Sequence, residues 1–183
     1  MSNPLLIVKV GSLAVTHAEG GAAIDKIKNL AHDLAQLKRQ GFQVILVSSG
    51  AINTGRSLIS FDKLPTAQQI SAIARDQALS ALGQPALMKV YLDIFSEQKI
   101  ITAQVLVTHE DFKNRERNFN IRNTLTALLH AGALPIINEN DTVSFSEITV
   151  GDNDQLAGMV AQVMQADRLV LLTEADGLYT GNP

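Results

Sequence analysis

Five short apolar runs, separated by segments of helical periodicity, constrain this chain more than any other feature. Residues 5–10 (LLIVKV) read as a buried strand, and 42–47 (FQVILV), 100–107, 133–137 and 168–172 as four further strands. Between the first two, Ile24, Ile27, Ala31 and Leu34 recur at helical spacing. Lys38 and Arg39 fall in the last turn and Gly41 stops the helix. Residues 51–58 begin a helix after Ser48-Ser49-Gly50. Residues 66–98 are mostly helical, with an interruption expected at 83–85 because Pro85 cannot donate inside a helix. Residues 115–130 carry Ile121, Leu125, Leu128 and Leu129 on one face, with Gly132 as terminator. Residues 138–150 are polar and irregular, with room for a small hairpin, and Gly177 marks a turn. Leu156, Met159, Val160, Val163 and Met164 form another helical stripe. Strands alternating with helices imply an α/β fold with a largely parallel sheet covered on both faces.

Composition narrows the class. At 183 residues, 46% hydrophobic and 18% charged, the chain can bury a core as one domain or a large piece of one. It has no cysteine, which excludes disulfides, Cys-ligated zinc, iron–sulfur clusters and thiol nucleophiles. The net charge of −3 offers no global field for nucleic acid. No apolar run reaches the ~20 residues of a membrane span, and no basic region precedes the first apolar stretch as in a secretory signal. A cytoplasmic protein is the expectation.

The polar residues collect where such a sheet binds ligands, outside the carboxyl ends of its strands. Four ends carry them: Lys9-Val10-Gly11-Ser12, Ser48-Ser49-Gly50, Asn138-Glu139-Asn140-Asp141 and Thr173-Glu174-Ala175-Asp176-Gly177. Gly151-Asp152-Asn153-Asp154 opens the helix before the fifth strand. Any one of these loops is ordinary turn chemistry; their meeting on one edge is not. Lys9 either snorkels to water or is a cation held on a rigid strand beside Gly11, which suits a phosphate. Ser49-Gly50 is either an anion nest or an N-cap, and one of residues 152–154 is equally a cap. Neither GxxxxGK with a following Ser or Thr nor GxGxxG occurs, so a Walker loop and the dinucleotide fingerprint are both absent. His17, His32, His109 and His130 lack metal-ligand spacing and read as surface or helix-end residues. Lys113, Arg115, Arg117 and Arg122 read as a solvated helix face.

LLIVKVGS, VILVSSGAI, INENDTV followed by EITVGDNDQLA, and LLTEADGLYT occur in that order. Together with RDQALSALGQPALM and HEDFKNRERNFNIRNTL, they make the chain resemble the amino acid kinase family from about Leu5 to Pro183, and within it the members that phosphorylate glutamate. The resemblance implies an αβα sandwich with a mainly parallel central sheet, in which residues 1–165 form the glutamate-binding lobe and 166–183 begin the nucleotide-binding lobe. It implies ATP and Mg²⁺, with L-glutamate as partner. Lys9 would be one of two lysines on the transferring phosphoryl group, and Gly11 and Ser12 would flank the phosphates. Ser49, Gly50, Asn138, Asp141, Asp152 and Asn153 would bind glutamate, Asp154 would orient the lysines, and Thr173 and Glu174 would contact the nucleotide. The family usually has Thr-Asp at that last pair, so Glu174 is a departure. The second lysine lies in a glycine-rich segment that this sequence does not reach, which makes a truncated domain of little activity by itself the expectation. The resemblance further implies a dimer or tetramer, and proline as feedback inhibitor of the first step of its own synthesis.

The chemistry agrees with the residues. A carboxylate acceptor with a pKa of ~4.3 is already ionised at neutral pH and needs no general base. The obstacle is bringing one anion to another, which calls for positioning and cations. Three alternatives stand beside this. They are a kinase of the same family for acetylglutamate, aspartate or carbamate; a glutamate- or proline-binding module without turnover; and a nucleotide-dependent oxidoreductase.

Overall fold

The computed structural model describes residues 3–59, 70–144 and 152–172. In chain order the elements are β1 (Leu5–Val10), α1 (Ser12–Val15), α2 (Ile24–Arg39), β2 (Gln43–Ser48), α3 (Ala51–Arg56), α4 (Ala72–Glu97), β3 (Thr102–Val107), α5 (His109–Lys113), α6 (Arg115–His130), β4 (Leu134–Glu139), α7 (Asp152–Met164) and β5 (Arg168–Leu172). The five strands form one sheet in the order β3-β4-β2-β1-β5, and every pairing is parallel. All carboxyl ends therefore lie along one edge.

The pleat of β1 sorts the core into two layers. Leu6, Val8 and Val10 face one way, toward Ile27, Ala31 and Leu34 of α2 and Leu87, Met88, Tyr91 and Phe95 of α4. Leu5 and Ile7 face the other, toward Ile121, Leu125 and Leu129 of α6 and Leu156, Ala157 and Val160 of α7. Burial on both faces explains why β1 reads as an unbroken apolar run in which Lys9 stands out. The helix–sheet–helix layering is that of the expected αβα sandwich.

Three differences from the sequence expectation have physical causes. Helix α4 is continuous from Ala72 to Glu97, with Pro85 inside it and no break at 83–85. An interior proline costs ~3 kcal/mol, but the buried residues Leu79, Leu87, Met88, Tyr91, Ile94 and Phe95 outweigh that through tertiary packing. Strand β4 extends through Asn138 and Glu139, which the sequence placed in an irregular loop; parallel pairing of Leu106 with Asn138 and Val107 with Glu139 carries it on. Residues 140–144 of that loop form a turn, and 145–150 lie outside the described residues, as does Gly177. The short helices α1 and α5 are additional. A capping box starts α5: Asp111 Oδ2 accepts from the Thr108 backbone N–H at 2.7 Å and its hydroxyl at 2.9 Å.

Glycines set the seam between α3 and α4. A Cβ on Gly83 would lie 1.8 Å from the Ala51 carbonyl oxygen, and one on Gly55 would lie 2.0 Å from that of Leu79. The backbones touch, and this close approach places α4 beside the end of β2.

Candidate functional site

Lys9 is the fifth residue of β1, on the Ile7 side of the pleat. Its Nζ lies 2.6 Å from Asp154 Oδ1, and the two side chains are 11% and 47% exposed. An unpaired cation at that depth would be costly to desolvate; the carboxylate from the first turn of α7 compensates it. Lys9 is thus held in an ion pair, and its ammonium does not snorkel freely to water. Gly11 follows with φ −72°, so its backbone does not require glycine. A Cβ there would stand 3.7 Å from Lys9 Nζ, so the missing side chain leaves space beside the ammonium. Ser12 opens α1.

The end of β2 makes the second part. Gly50 is the N-cap residue of α3 with φ +107°, and a Cβ on it would press on Val15 and Thr16 at 3.0 and 3.1 Å. Glycine is needed here on both counts. The side chain of Ser49 does not cap α3. Its Oγ accepts from Asn153 Nδ2 at 2.7 Å. The same nitrogen reaches Asn138 Oδ1 at 3.1 Å and the Ser48 carbonyl at 3.3 Å. With its nitrogen committed to acceptors, Asn153 keeps Oδ1 as a buried acceptor without a hydrogen-bond partner among the described residues. Behind this cluster, Ser48 donates to the Ser49 carbonyl at 2.9 Å, so its contact with Tyr91 at 2.7 Å takes the proton from the phenol. Burial pushes the Tyr91 hydroxyl far above its ordinary pKa and keeps it a donor.

The end of β4 makes the third part. Asn138 Nδ2 donates to Gln84 Oε1 at 2.7 Å, so one of its two amide hydrogens is taken up within the protein. Asp141 Oδ2 accepts from Ser80 Oγ at 2.7 Å. On the other side of the strand, Glu139 is 8% exposed and sits 3.1 Å from Nδ1 of His109, itself 19% exposed. His109 is a helix-end residue as expected, yet it is turned inward. Burial, first, and the Asp141 carboxylate push the Glu139 carboxyl above its usual range, against the pull of His109 and the Ser144 hydroxyl.

The structure thus brings together Ser49, Asn138 and Asn153 by hydrogen bonds, and Lys9 with Asp154 by charge. Asp152 is the first residue of α7, its side chain outside the described part; Thr173 and Glu174 lie outside the described residues. Sequence reasoning missed Gln77, Ser80, Gln84, Tyr91, His109 and Glu139. A signal existed for three of them: Gln77, Ser80 and Gln84 recur at helical spacing in an otherwise apolar segment. A surface cavity of about 660 Å³ on α5 and α6, lined by Phe112, Arg115, Phe119 and Arg122, includes none of the site residues.

The fold is a parallel sheet between helical layers, with a strand lysine paired to a helix aspartate beside an amide cluster at its carboxyl edge. The chain belongs to the amino acid kinase family, whose profile matches residues 4–183. It is 47% identical over 178 residues to a protein named glutamate 5-kinase from Trichlorobacter lovleyi, covering 97% of this chain and 46% of that protein. Proteins of the same name from Streptococcus sanguinis and Streptococcus pneumoniae are 46% and 45% identical over the same length, each covered to 47%. The chain spans about half the length of the curated relatives it matches. Among the described residues, no helix is long and apolar enough to cross a membrane.

Proposed function

We propose that the chain carries the acceptor site of a kinase that transfers the γ-phosphoryl group of ATP to the side-chain carboxylate of L-glutamate. The products are ADP and L-glutamyl 5-phosphate, and the reaction would open proline synthesis. The activity is that of a protein of the relatives' length in which this chain forms one part. The observation that carries the reading is the Lys9–Asp154 pair, 2.6 Å apart, between β1 and the first turn of α7, beside the Ser49–Asn138–Asn153 cluster.

Each residue has a task that follows from its surroundings. Lys9 presents a fixed positive charge at the carboxyl edge, where two anions must meet. Asp154 holds that charge in place and takes no proton. The orphaned Asn153 Oδ1 is an acceptor suited to the glutamate ammonium, and the Asp141 carboxylate supplies the negative charge that an ammonium requires. Asp152, from the same turn as Asn153 and Asp154, is a further carboxylate for that role. Ser49 and Gly50 shape the floor, and Gly11 and Ser12 leave room for phosphate oxygens. Thr173 and Glu174 belong to the nucleotide contact. No base is needed, since the acceptor carboxylate is ionised at neutral pH. Mg²⁺ would arrive with ATP, held mainly by the phosphates and water, and would neutralise the charge that builds up between the two anions.

Hydroxylamine trapping of the acyl phosphate tests the reading, with ATP and a panel of L-glutamate, L-aspartate and N-acetyl-L-glutamate. Hydroxamate from L-glutamate alone is expected. Equal turnover of N-acetyl-L-glutamate, which lacks the ammonium, would overturn it.

A further inference from the structure

Helix α4 turns one polar stripe toward the carboxyl edge. Gln77, Ser80 and Gln84 stand at i, i+3 and i+7 and share a helix face. Each meets a different residue at or after the end of β4. Gln77 Nε2 donates to the Ser144 carbonyl at 3.1 Å, Ser80 Oγ donates to Asp141 Oδ2 at 2.7 Å, and Gln84 Oε1 accepts from Asn138 Nδ2 at 2.7 Å. The stripe is held in register by Gly83, whose absent Cβ would collide with the Ala51 carbonyl at 1.8 Å.

The sense of the Asn138 amide follows. Its Oδ1 accepts from the Glu139 backbone N–H at 2.9 Å and from Asn153 Nδ2 at 3.1 Å, while its Nδ2 goes to Gln84. Turned over, Asn138 would set a donor against two donors and an acceptor against Gln84 Oε1. Asn153 inherits its sense from Asn138 and from the Ser48 carbonyl, and its buried Oδ1 has no hydrogen-bond partner among the described residues.

We propose that Gln84 is a positioning residue for the acceptor site. The Glu139 backbone N–H sets which end of Asn138 is the acceptor, and Gln84, by accepting from Nδ2, holds that amide against Asn153, so that the site selects a ligand that donates N–H to Asn153 Oδ1. The inference rests on the proposed glutamate site, but Gln84 itself acts through two amides and touches no substrate.

Two variants test it. Gln84→Met keeps the length of the side chain and removes the acceptor; Gln84→Glu keeps an acceptor oxygen. The readouts are the side-chain NH₂ resonances of Asn138 and Asn153 in ¹⁵N-labelled protein, and titrations with L-glutamate and with ATP. Gln84→Met should displace both amide resonances and weaken L-glutamate about tenfold, the scale of one oriented buried hydrogen bond. ATP affinity should stay within about twofold, and Gln84→Glu should return the amide resonances toward their original positions. Unmoved Asn138 and Asn153 resonances in Gln84→Met overturn the proposal. If the unsubstituted protein fails to bind L-glutamate, the functional reading falls while the amide resonances still decide the role of Gln84. If Gln84→Met fails to fold, Gln84→Glu decides: resonances kept in place support the role, and displaced ones refute it.

Discussion

The glycine seam between α3 and α4 allows the same substitution to be given opposite signs at two helical sites. In Gly83→Ala, the new methyl would begin 1.8 Å from the Ala51 carbonyl oxygen and 2.4 Å from the Gly55 nitrogen. Real contacts of this kind essentially never fall under 3.0 Å, so the helices must part by about 1.2 Å. Both obstacles are backbone, and no side chain can turn away to relieve them. Overpacking of this kind costs typically ~1–3 kcal/mol, and the depth of the clash puts this case at the upper end. Replacing a helical glycine by alanine returns ~1 kcal/mol. The net loss is about 2 kcal/mol, which in a chain of this size lowers Tm by about 4–8 °C. Gly158 lies inside α7 with nothing within 4 Å of its Cβ direction, so Gly158→Ala keeps the propensity gain and should raise Tm by a few degrees. Calorimetry and urea titration of the two variants measure the difference. Gly83→Ala as stable as the parent, or Gly158→Ala the more damaging, would refute the argument from close backbone packing.

Two further predictions concern charge. Lys9→Ala, assayed in a protein of the relatives' length, should lower kcat by at least ~100-fold, the scale of removing a donor to developing charge. Near-normal kcat would remove Lys9 from that role. For Glu139, burial first and Asp141 second raise the carboxyl above its ordinary 4.5, with His109 and Ser144 opposing. The folded state then holds a proton that the unfolded chain has released, so this contribution to stability is complete below pH 4.5 and is lost as pH rises through the folded value. Glu139→Gln cannot ionise, and its stability relative to the parent should climb as pH rises from about 4 to 7 in urea titrations. A flat difference across that range would count against a raised Glu139.

The candidate site was legible in part because several of its residues interrupt a pattern. Lys9 breaks an apolar strand, Ser49 follows β2, Asn138 sits near the carboxyl end of β4 and Asn153 opens α7, the places where parallel sheets bind ligands. Gln77, Ser80 and Gln84 interrupt an apolar helix at helical spacing, whereas Tyr91 gave no such sign, since a tyrosine on a long helix is ordinary. His109 and Glu139 lie 30 residues apart, on elements whose adjacency depends on β3 pairing with β4.

The sequence by itself determined the elements that rest on local pattern. Strands β1 and β5 and helix α6 fall where apolar period and terminators put them, and five strands alternating with helices give the parallel sheet; the expected cover on both faces does not reach β5, the edge strand, whose residues are all exposed. The tertiary structure alone decided three things. It carried α4 across Pro85, because packing energy summed over a buried helix exceeds one local penalty. It made the expected association of Lys9 with Asp154 a direct ion pair of 2.6 Å, because the cost of burying a charge depends on what stands opposite it. It set the sense of the Asn138 and Asn153 amides, because an amide is symmetric in shape and polar in function, and only its neighbours in space distinguish the two ends.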